Sequence, residues 1–219
     1  MEEAHIHNKW PLAREGAPFI FVGCILTFLF IFVGFFFVSI VTGIITLFII
    51  FFFRDPDRGN HTDPGAILTP ADGTILEIKH LDDLKNPFGK PALRISVFMS
   101  IFNVHVNRFP VAGTVEKISY QPGRFFRANL DKASELNENN RITLKTSDSR
   151  TIMVVQIAGI IARRIACWIK EGDRLNAGER FGLIRFGSRL EVYLPEGSRI
   201  TVQPGQKVKA GETVIGYLP

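Results

Sequence analysis

Gly172-Asp-Arg-Leu-Asn-Ala-Gly-Glu179 and Gly205-Gln-Lys-Val-Lys-Ala-Gly-Glu212 are one pattern, G-x-x-(L/V)-x-A-G-E, written twice at an offset of 33 residues. A second pair, Pro70-Ala-Asp-Gly-Thr-Ile75 and Pro110-Val-Ala-Gly-Thr-Val115, recurs at an offset of 40. Glycines at fixed places beside short apolar runs mark tight corners between strands, so each motif predicts a β-hairpin corner used twice in a pseudo-symmetric structure. Around these corners lie short β-branched runs bounded by Gly and Pro: Thr74–Ile78, Ala92–Met99, Gly113–Ile118, Arg141–Thr146, Thr151–Ile157, Phe181–Arg185, Leu190–Leu194 and Arg199–Val202. Strands of this length and spacing predict a mainly β fold, a pseudo-symmetric sandwich or barrel-like domain. One helix is predicted near Ala128–Asn137.

Upstream the chain changes character. Pro18 to Phe53 is a run of 36 residues without a charge that holds 12 of the 20 phenylalanines. An uncharged run beyond about 18 residues reads as membrane-embedded. It exceeds the roughly 7 to 15 residues of a signal-peptide apolar region, and no small-residue cleavage site follows it. As one helix it would be about 54 Å long, against a hydrocarbon core of about 30 Å. A hairpin of two helices of about 16 residues turning near Gly34–Ser39 fits better, with one strongly tilted helix as the alternative. Basic residues at both ends, Lys9, Arg14 and Arg54, favour the cytoplasmic side of the cell membrane for the tail and the β domain. The chain therefore divides into a tail (1–17), a membrane anchor (18–53) and a β-rich domain (54–219).

The chain carries 26 Lys+Arg against 21 Asp+Glu. Setting aside Lys9 and Arg14, and Glu2, Glu3 and Glu15, leaves 24 against 18 in the β domain, a surplus that attracts anionic headgroups. No Lys/Arg run interleaved with aromatics points to nucleic acid. Cys24 and Cys167 match no metal or redox spacing, and no metal is expected.

Three polar sites stand out: Asp72 in Ala71-Asp72-Gly73, His105 in Asn103-Val104-His105-Val106-Asn107-Arg108, and Ser188 in Phe186-Gly187-Ser188-Arg189. Each alone reads as a turn cap, a core histidine or a loop. Together they supply an orienter, a base and a hydroxyl nucleophile.

The corner motifs resemble the hammerhead strands of biotinyl and lipoyl carrier domains, but neither offers a modifiable lysine at its tip. The Thr69-Pro70-Ala71-Asp72-Gly73 stretch, the Val104-His105 pair ahead of Pro110 and the late Gly187-Ser188 step, with an apolar run in front, resemble phosphatidylserine decarboxylase. They are closest to its short bacterial and archaeal branch, where Gly-Ser-Arg replaces Gly-Ser-Thr. The resemblance implies self-cleavage between Gly187 and Ser188 into a β chain, 1–187, and an α chain, 188–219, which stay together as a heterodimer that can assemble into a higher oligomer. Ser188 would become a covalent pyruvoyl group that forms a Schiff base with phosphatidylserine and releases phosphatidylethanolamine. His105 would be the base for cleavage, with Asp72 orienting it, and Arg163, Arg164, Lys170 and Arg189 are available to the headgroup. Longer relatives carry a histidine where this chain has Phe102, which leaves the proton donor of decarboxylation open. Two other readings of the residues are a membrane-anchored Asp/His/Ser hydrolase, which lacks a G-x-S-x-G elbow, and a non-enzymatic membrane adaptor with a carrier-like β domain.

Overall fold

The structure is a computed structural model describing residues 10–59, 63, 65–82, 88–126, 136–159, 164–185 and 187–219. It divides into two compact units, one within His7–Asp57 and one running from Arg58 to Pro219.

The first unit is a helical hairpin of α1 (Ala17–Val33) and α2 (Phe36–Phe52), each 17 residues long, turning at Gly34-Phe35. Pro18 sits in the first turn of α1, where its missing N–H costs nothing. The two helices pack closely enough that a Cβ on Gly23 would lie 2.5 Å from Thr46 Oγ1. Their outer ends are tied by the Ala13 amide donating to Phe53 O (2.7 Å) and the Asp55 amide donating to Pro11 O (2.7 Å). Thr27, Ser39, Thr42 and Thr46 turn their hydroxyls back onto carbonyls of their own helices, so no hydroxyl is left to the surroundings. Phe21, Phe28, Phe32 and Phe37 point outward, the reverse of a soluble domain. Arg14–Val33 is the helical stretch, among the described residues, long and apolar enough to cross a membrane; α2 is slightly shorter.

The second unit is mainly β. Its strands are β1 (Ala66–Leu68), β2 (Gly73–Leu81), β3 (Ala92–Met99), β4 (Val106–Arg108), β5 (Gly113–Gln121), β6 (Asn139–Lys145), β7 (Thr151–Ala158), β8 (Ile165–Cys167), β9 (Arg174–Leu175), β10 (Arg180–Ile184), β11 (Ser188–Pro195), β12 (Arg199–Ile200), β13 (Lys207–Val208) and β14 (Val214–Tyr217). One antiparallel sheet runs β13-β2-β3-β11-β7-β6-β5-β9, and two three-stranded sheets run β1-β14-β12 and β4-β10-β8. Among the described residues the large sheet is open, with β13 and β9 at its edges, so barrel-like closure is not seen. The helix predicted near Ala128–Asn137 lies almost wholly outside the described residues.

The order of the large sheet reads the same from both ends. In the first half β2 pairs with β3 and with β13, Thr74 opposite Lys207; in the second β5 pairs with β6 and with β9, Thr114 opposite Arg174. Even the register shifts match, between Ile75 and Glu77 in one half and Val115 and Lys117 in the other. The two sequence repeats are the corners of this duplication. The Ile75 amide donates to Gln206 O at 2.9 Å and the Val115 amide to Asp173 O at 2.8 Å; likewise the Gly211 amide donates to Thr69 O and the Gly178 amide to Phe109 O.

The repeat glycines are required by their geometry: Gly172, Gly178, Gly205 and Gly211 all have φ between 70° and 93°. Gly211→Ala is expected to lower stability by about 1 to 2 kcal/mol from the left-handed backbone alone. Its new Cβ would also meet Arg108 Cδ at 2.9 Å, so some loss beyond that is expected. A melting curve of the detergent-solubilised chain checks this.

The main apolar core lies between the sheets. It joins Ile75, Ile95 and Val97 of β2 and β3 to Leu190, Val192 and Leu194 of β11, and to Ile67, Phe181 and Ile215 of the small sheets. Burying a side chain of this size is worth about 1.5 to 3 kcal/mol, which makes this layer the main source of stability.

Candidate active site

Ser188 opens β11 at the middle of the large sheet, opposite Met99 of β3 on one side and Ala158 of β7 on the other. Side chains alternate along a strand. Ser188, Leu190, Val192 and Leu194 therefore face the main core, while Arg189, Glu191 and Tyr193 face the opposite side. Ser188 is wholly buried, and its hydroxyl donates to the Met99 sulfur at 3.3 Å. Gly187 before it has φ +66°, a backbone that a side chain would strain, and the space where a Cβ would stand is open.

His105 enters β4 and is also fully buried. Its Nδ1 lies 2.9 Å from Asn103 O. A carbonyl only accepts, so Nδ1 carries the proton and Nε2 holds the lone pair in the neutral ring. The loop presenting this carbonyl is pinned, because Asn103 Oδ1 accepts from both the Ser100 amide and the Ser100 hydroxyl at 2.8 Å. Phe102, at the tip of the same turn, is 64% exposed.

Asp72 caps the turn into β2. One of its oxygens accepts the Ala210 amide at 2.7 Å, and both lie 3.2 Å from Arg58 Nη2. Arg58 spans on to Glu212 at 3.2 Å. Since Thr74 pairs with Phe98 and Ser188 with Met99, Asp72 and Ser188 lie at the same end of the sheet, two strands apart. At about 4.8 Å per strand that is about 10 Å between backbones. His105 lies six residues beyond Met99, on the chain that leaves β3 at this end of the sheet.

Two expected roles look different in place. In the uncut chain the Asn103 carbonyl orients His105, whereas Asp72 is engaged by Arg58 and a backbone amide. Arg58 itself was not foreseen, since nothing in the linker distinguishes it from a solvated charge.

Of the basic residues expected at the headgroup, Arg163 lies outside the described residues, and Arg164 and Lys170 are exposed. Arg189 is 1% exposed and points away from the Ser188 side. Its guanidinium donates to Glu77 (2.9 Å) and Ser96 (2.8 Å) and pairs with Glu191 (2.9 Å), while Arg94 also pairs with Glu77. A buried guanidinium so occupied holds the far face of the sheet together and is not offered to a ligand. Tyr193 completes this cluster, donating to Glu191 at 2.8 Å. Burial, and then the Glu191 carboxylate, push its phenol well above its ordinary value.

Cys24 and Cys167 are free thiols. Among the described residues no group of three or more His, Cys, Asp or Glu side chains is arranged to hold a metal ion.

The arrangement provides a buried hydroxyl directly after a glycine in the left-handed region, and a buried histidine whose ring is oriented by a backbone carbonyl. A family model described as Phosphatidylserine decarboxylase matches residues 45–216. The chain is 50% identical over 208 residues to a phosphatidylserine decarboxylase proenzyme of Syntrophus aciditrophicus (strain SB), covering 94% of this chain and 96% of that one. It is 46% identical over 208 residues to the proenzyme of Desulfotalea psychrophila (strain LSv54 / DSM 12343), covering 95% and 97%. It is also 46% identical over 209 residues to that of Burkholderia mallei (strain SAVP1), covering 95% of each. Matched over most of its length by the family model and by relatives of nearly equal size, the chain belongs to the phosphatidylserine decarboxylase family.

Proposed function

We propose that the chain is a membrane-bound proenzyme that cuts itself between Gly187 and Ser188 and then decarboxylates phosphatidylserine to phosphatidylethanolamine. The observation that carries this reading is the junction itself: a buried serine hydroxyl directly after a glycine at φ +66°. In the cut, Ser188 Oγ bonds to the Gly187 carbonyl carbon as the carbon–nitrogen bond breaks, and the hydroxyl proton passes to the freed nitrogen. His105 Nε2 is the group suited to carry it, because Nδ1 is already committed as a donor. Loss of the Ser188 Cα proton then expels Gly187 as a carboxylate, and water replaces the resulting enamine nitrogen as ammonia.

The residues fit a pyruvoyl group at position 188, since the small side chain there opens a central strand at one end of the large sheet, directly after Gly187. That group supplies the electron sink for the pair released with carbon dioxide. Asp72, held by Arg58, contributes a negative charge on the side of the site where a cationic imidazole forms. Arg163 and Arg164, rather than the buried Arg189, are the cations proposed for the lipid phosphate and carboxylate. Segments 1–187 and 188–219 stay together as a heterodimer, because β11 lies between β3 and β7 with a hydrogen-bonded ladder on each side. The apolar hairpin, with Arg14 and Arg54 at its two ends, supports anchoring in the cell membrane from the cytoplasmic side. Anchoring gives a headgroup enzyme a high effective concentration of lipid substrate.

The test is a mass balance on phosphatidylserine vesicles. Purified protein should release carbon dioxide and phosphatidylethanolamine in equal amounts. Release of fatty acid or free serine without carbon dioxide would contradict the reading.

A further inference from the structure

The internal duplication allows each core position to be compared with its counterpart in the other half. Leu93 pairs across the sheet with Leu194, and the matching pair in the second half is Asn140 with Gln156. Ile67 sits opposite Gly216 in one small sheet, and its counterpart opposite Gly182 in the other is Asn107. Ile67, Leu93 and Leu194 are all 4% exposed or less and belong to the apolar core. Asn107, Asn140 and Gln156 are equally buried, at 2% or less. The fold therefore builds the same three core positions from aliphatic side chains in one half and from amides in the other. Burying an amide without full compensation costs about 2 to 7 kcal/mol, so the fold alone has no need of them.

The amides form a directed chain. Asn140 Nδ2 donates to Gln156 Oε1 at 3.0 Å, and Gln156 Nε2 donates to Asn107 Oδ1 at 2.9 Å. With each carbonyl already accepting, the far end presents a donor, Asn107 Nδ2, which reaches the Met99 sulfur at 3.8 Å. The Ser188 hydroxyl donates to the same sulfur at 3.3 Å. Two donors thus converge on one weak acceptor at the scissile junction. Donors linked in line polarise one another, and a donor held in place beforehand acts where oxygen charge develops without reorganising.

We propose that Asn140, Gln156 and Asn107 are positioning residues for self-cleavage: a buried amide relay that fixes a hydrogen-bond donor beside the Ser188 hydroxyl as its oxygen bonds to the Gly187 carbonyl carbon. The relay transfers no proton and forms no bond; it acts through Ser188 and rests on the reading of Ser188 as the nucleophile. Met99 is the placeholder that both donors share before the cut.

The other half supplies the test. The triple variant Asn107→Ile, Gln156→Leu, Asn140→Leu gives the second half the residues that the first already packs, and it leaves no amide without its partner. Gln156→Met is a milder single change of similar volume. Cleavage of newly made full-length chain is followed by denaturing electrophoresis. Melting is followed on the same variants carrying Ser188→Ala, so that every chain compared is uncut. The expected result is cleavage slowed roughly tenfold or more, with melting as high as that of the chain carrying Ser188→Ala alone. Wild-type cleavage by a folded triple variant would overturn the relay. So would slow cleavage that merely tracks a lowered melting temperature in both variants, because the amides would then serve stability alone. Cleavage of the Ser188→Ala chain between residues 187 and 188 is a different result, which removes the nucleophile reading beneath the relay.

Discussion

Ser188→Ala is expected to remain a single full-length chain with no decarboxylation above background. In the proposed reaction the hydroxyl attacks the Gly187 carbonyl, and its departure with Gly187 is what lets the Ser188 Cα become the carbonyl carbon used in turnover, so one substitution removes both functions. Folding should survive. The residue faces the core as a small side chain on a central strand, its hydroxyl contacts the Met99 sulfur, and alanine is a close fit to the space. Melting of the variant should therefore match that of uncut wild-type chain to within a few degrees, corresponding to a change of about 1 kcal/mol or less. A variant that is uncut but fully active would show that the catalytic carbonyl comes from elsewhere.

His105→Ala is expected to slow self-cleavage by about 10² to 10⁴, the usual contribution of a positioned general base. The structure adds a ranking that the order Asp, His, Ser alone did not contain. His105 Nδ1 is held by the Asn103 carbonyl, and Asp72 is held by Arg58 and the Ala210 amide. Asp72→Asn should therefore slow cleavage less than His105→Ala, and part of its effect should be lost stability, because among the described residues Arg58 would keep Glu212 as its one carboxylate partner. Time courses of precursor disappearance for the two variants, read beside their melting curves, separate the two roles. Equal losses, with no change in melting for Asp72→Asn, would return Asp72 to direct contact with the base.

Much of the fold was legible because the chain repeats itself. G-x-x-(L/V)-x-A-G-E is recognisable since its two glycines occupy left-handed corners that few other residues tolerate, and the same corner is built at 172–179 and 205–212. The long strands β3, β5, β6, β7 and β11 were visible as β-branched runs. Among the strands of two to four residues, β12 lies within the predicted run Arg199–Val202, whereas β1, β4, β8, β9, β13 and β14 were not read as strands, because so short a segment has little periodicity to read. Their existence follows from pairing with distant corners instead. The helical turn fell at Gly34-Phe35, the start of the expected interval.

The site was legible only in part, for a related reason. Asp72, His105 and Ser188 could be singled out because a polar residue interrupts an apolar pattern at each. Nothing in the local sequence distinguishes Asn107, Asn140 and Gln156; the duplication does, by placing leucine and isoleucine at the matching positions. Arg58 lies in a charged linker, and only its contact with Asp72 distinguishes it. Arg189 misled because it neighbours Ser188 in sequence, while strand alternation turns it to the other face of the sheet.

The most direct test of the account is the intact mass of purified wild-type protein under denaturing conditions. The account predicts two chains that divide the 219 residues after Gly187, the smaller beginning at position 188 with a blocked, amine-free end whose mass is that of a pyruvoyl group in place of serine. A single uncut chain of 219 residues in protein that decarboxylates phosphatidylserine would contradict it.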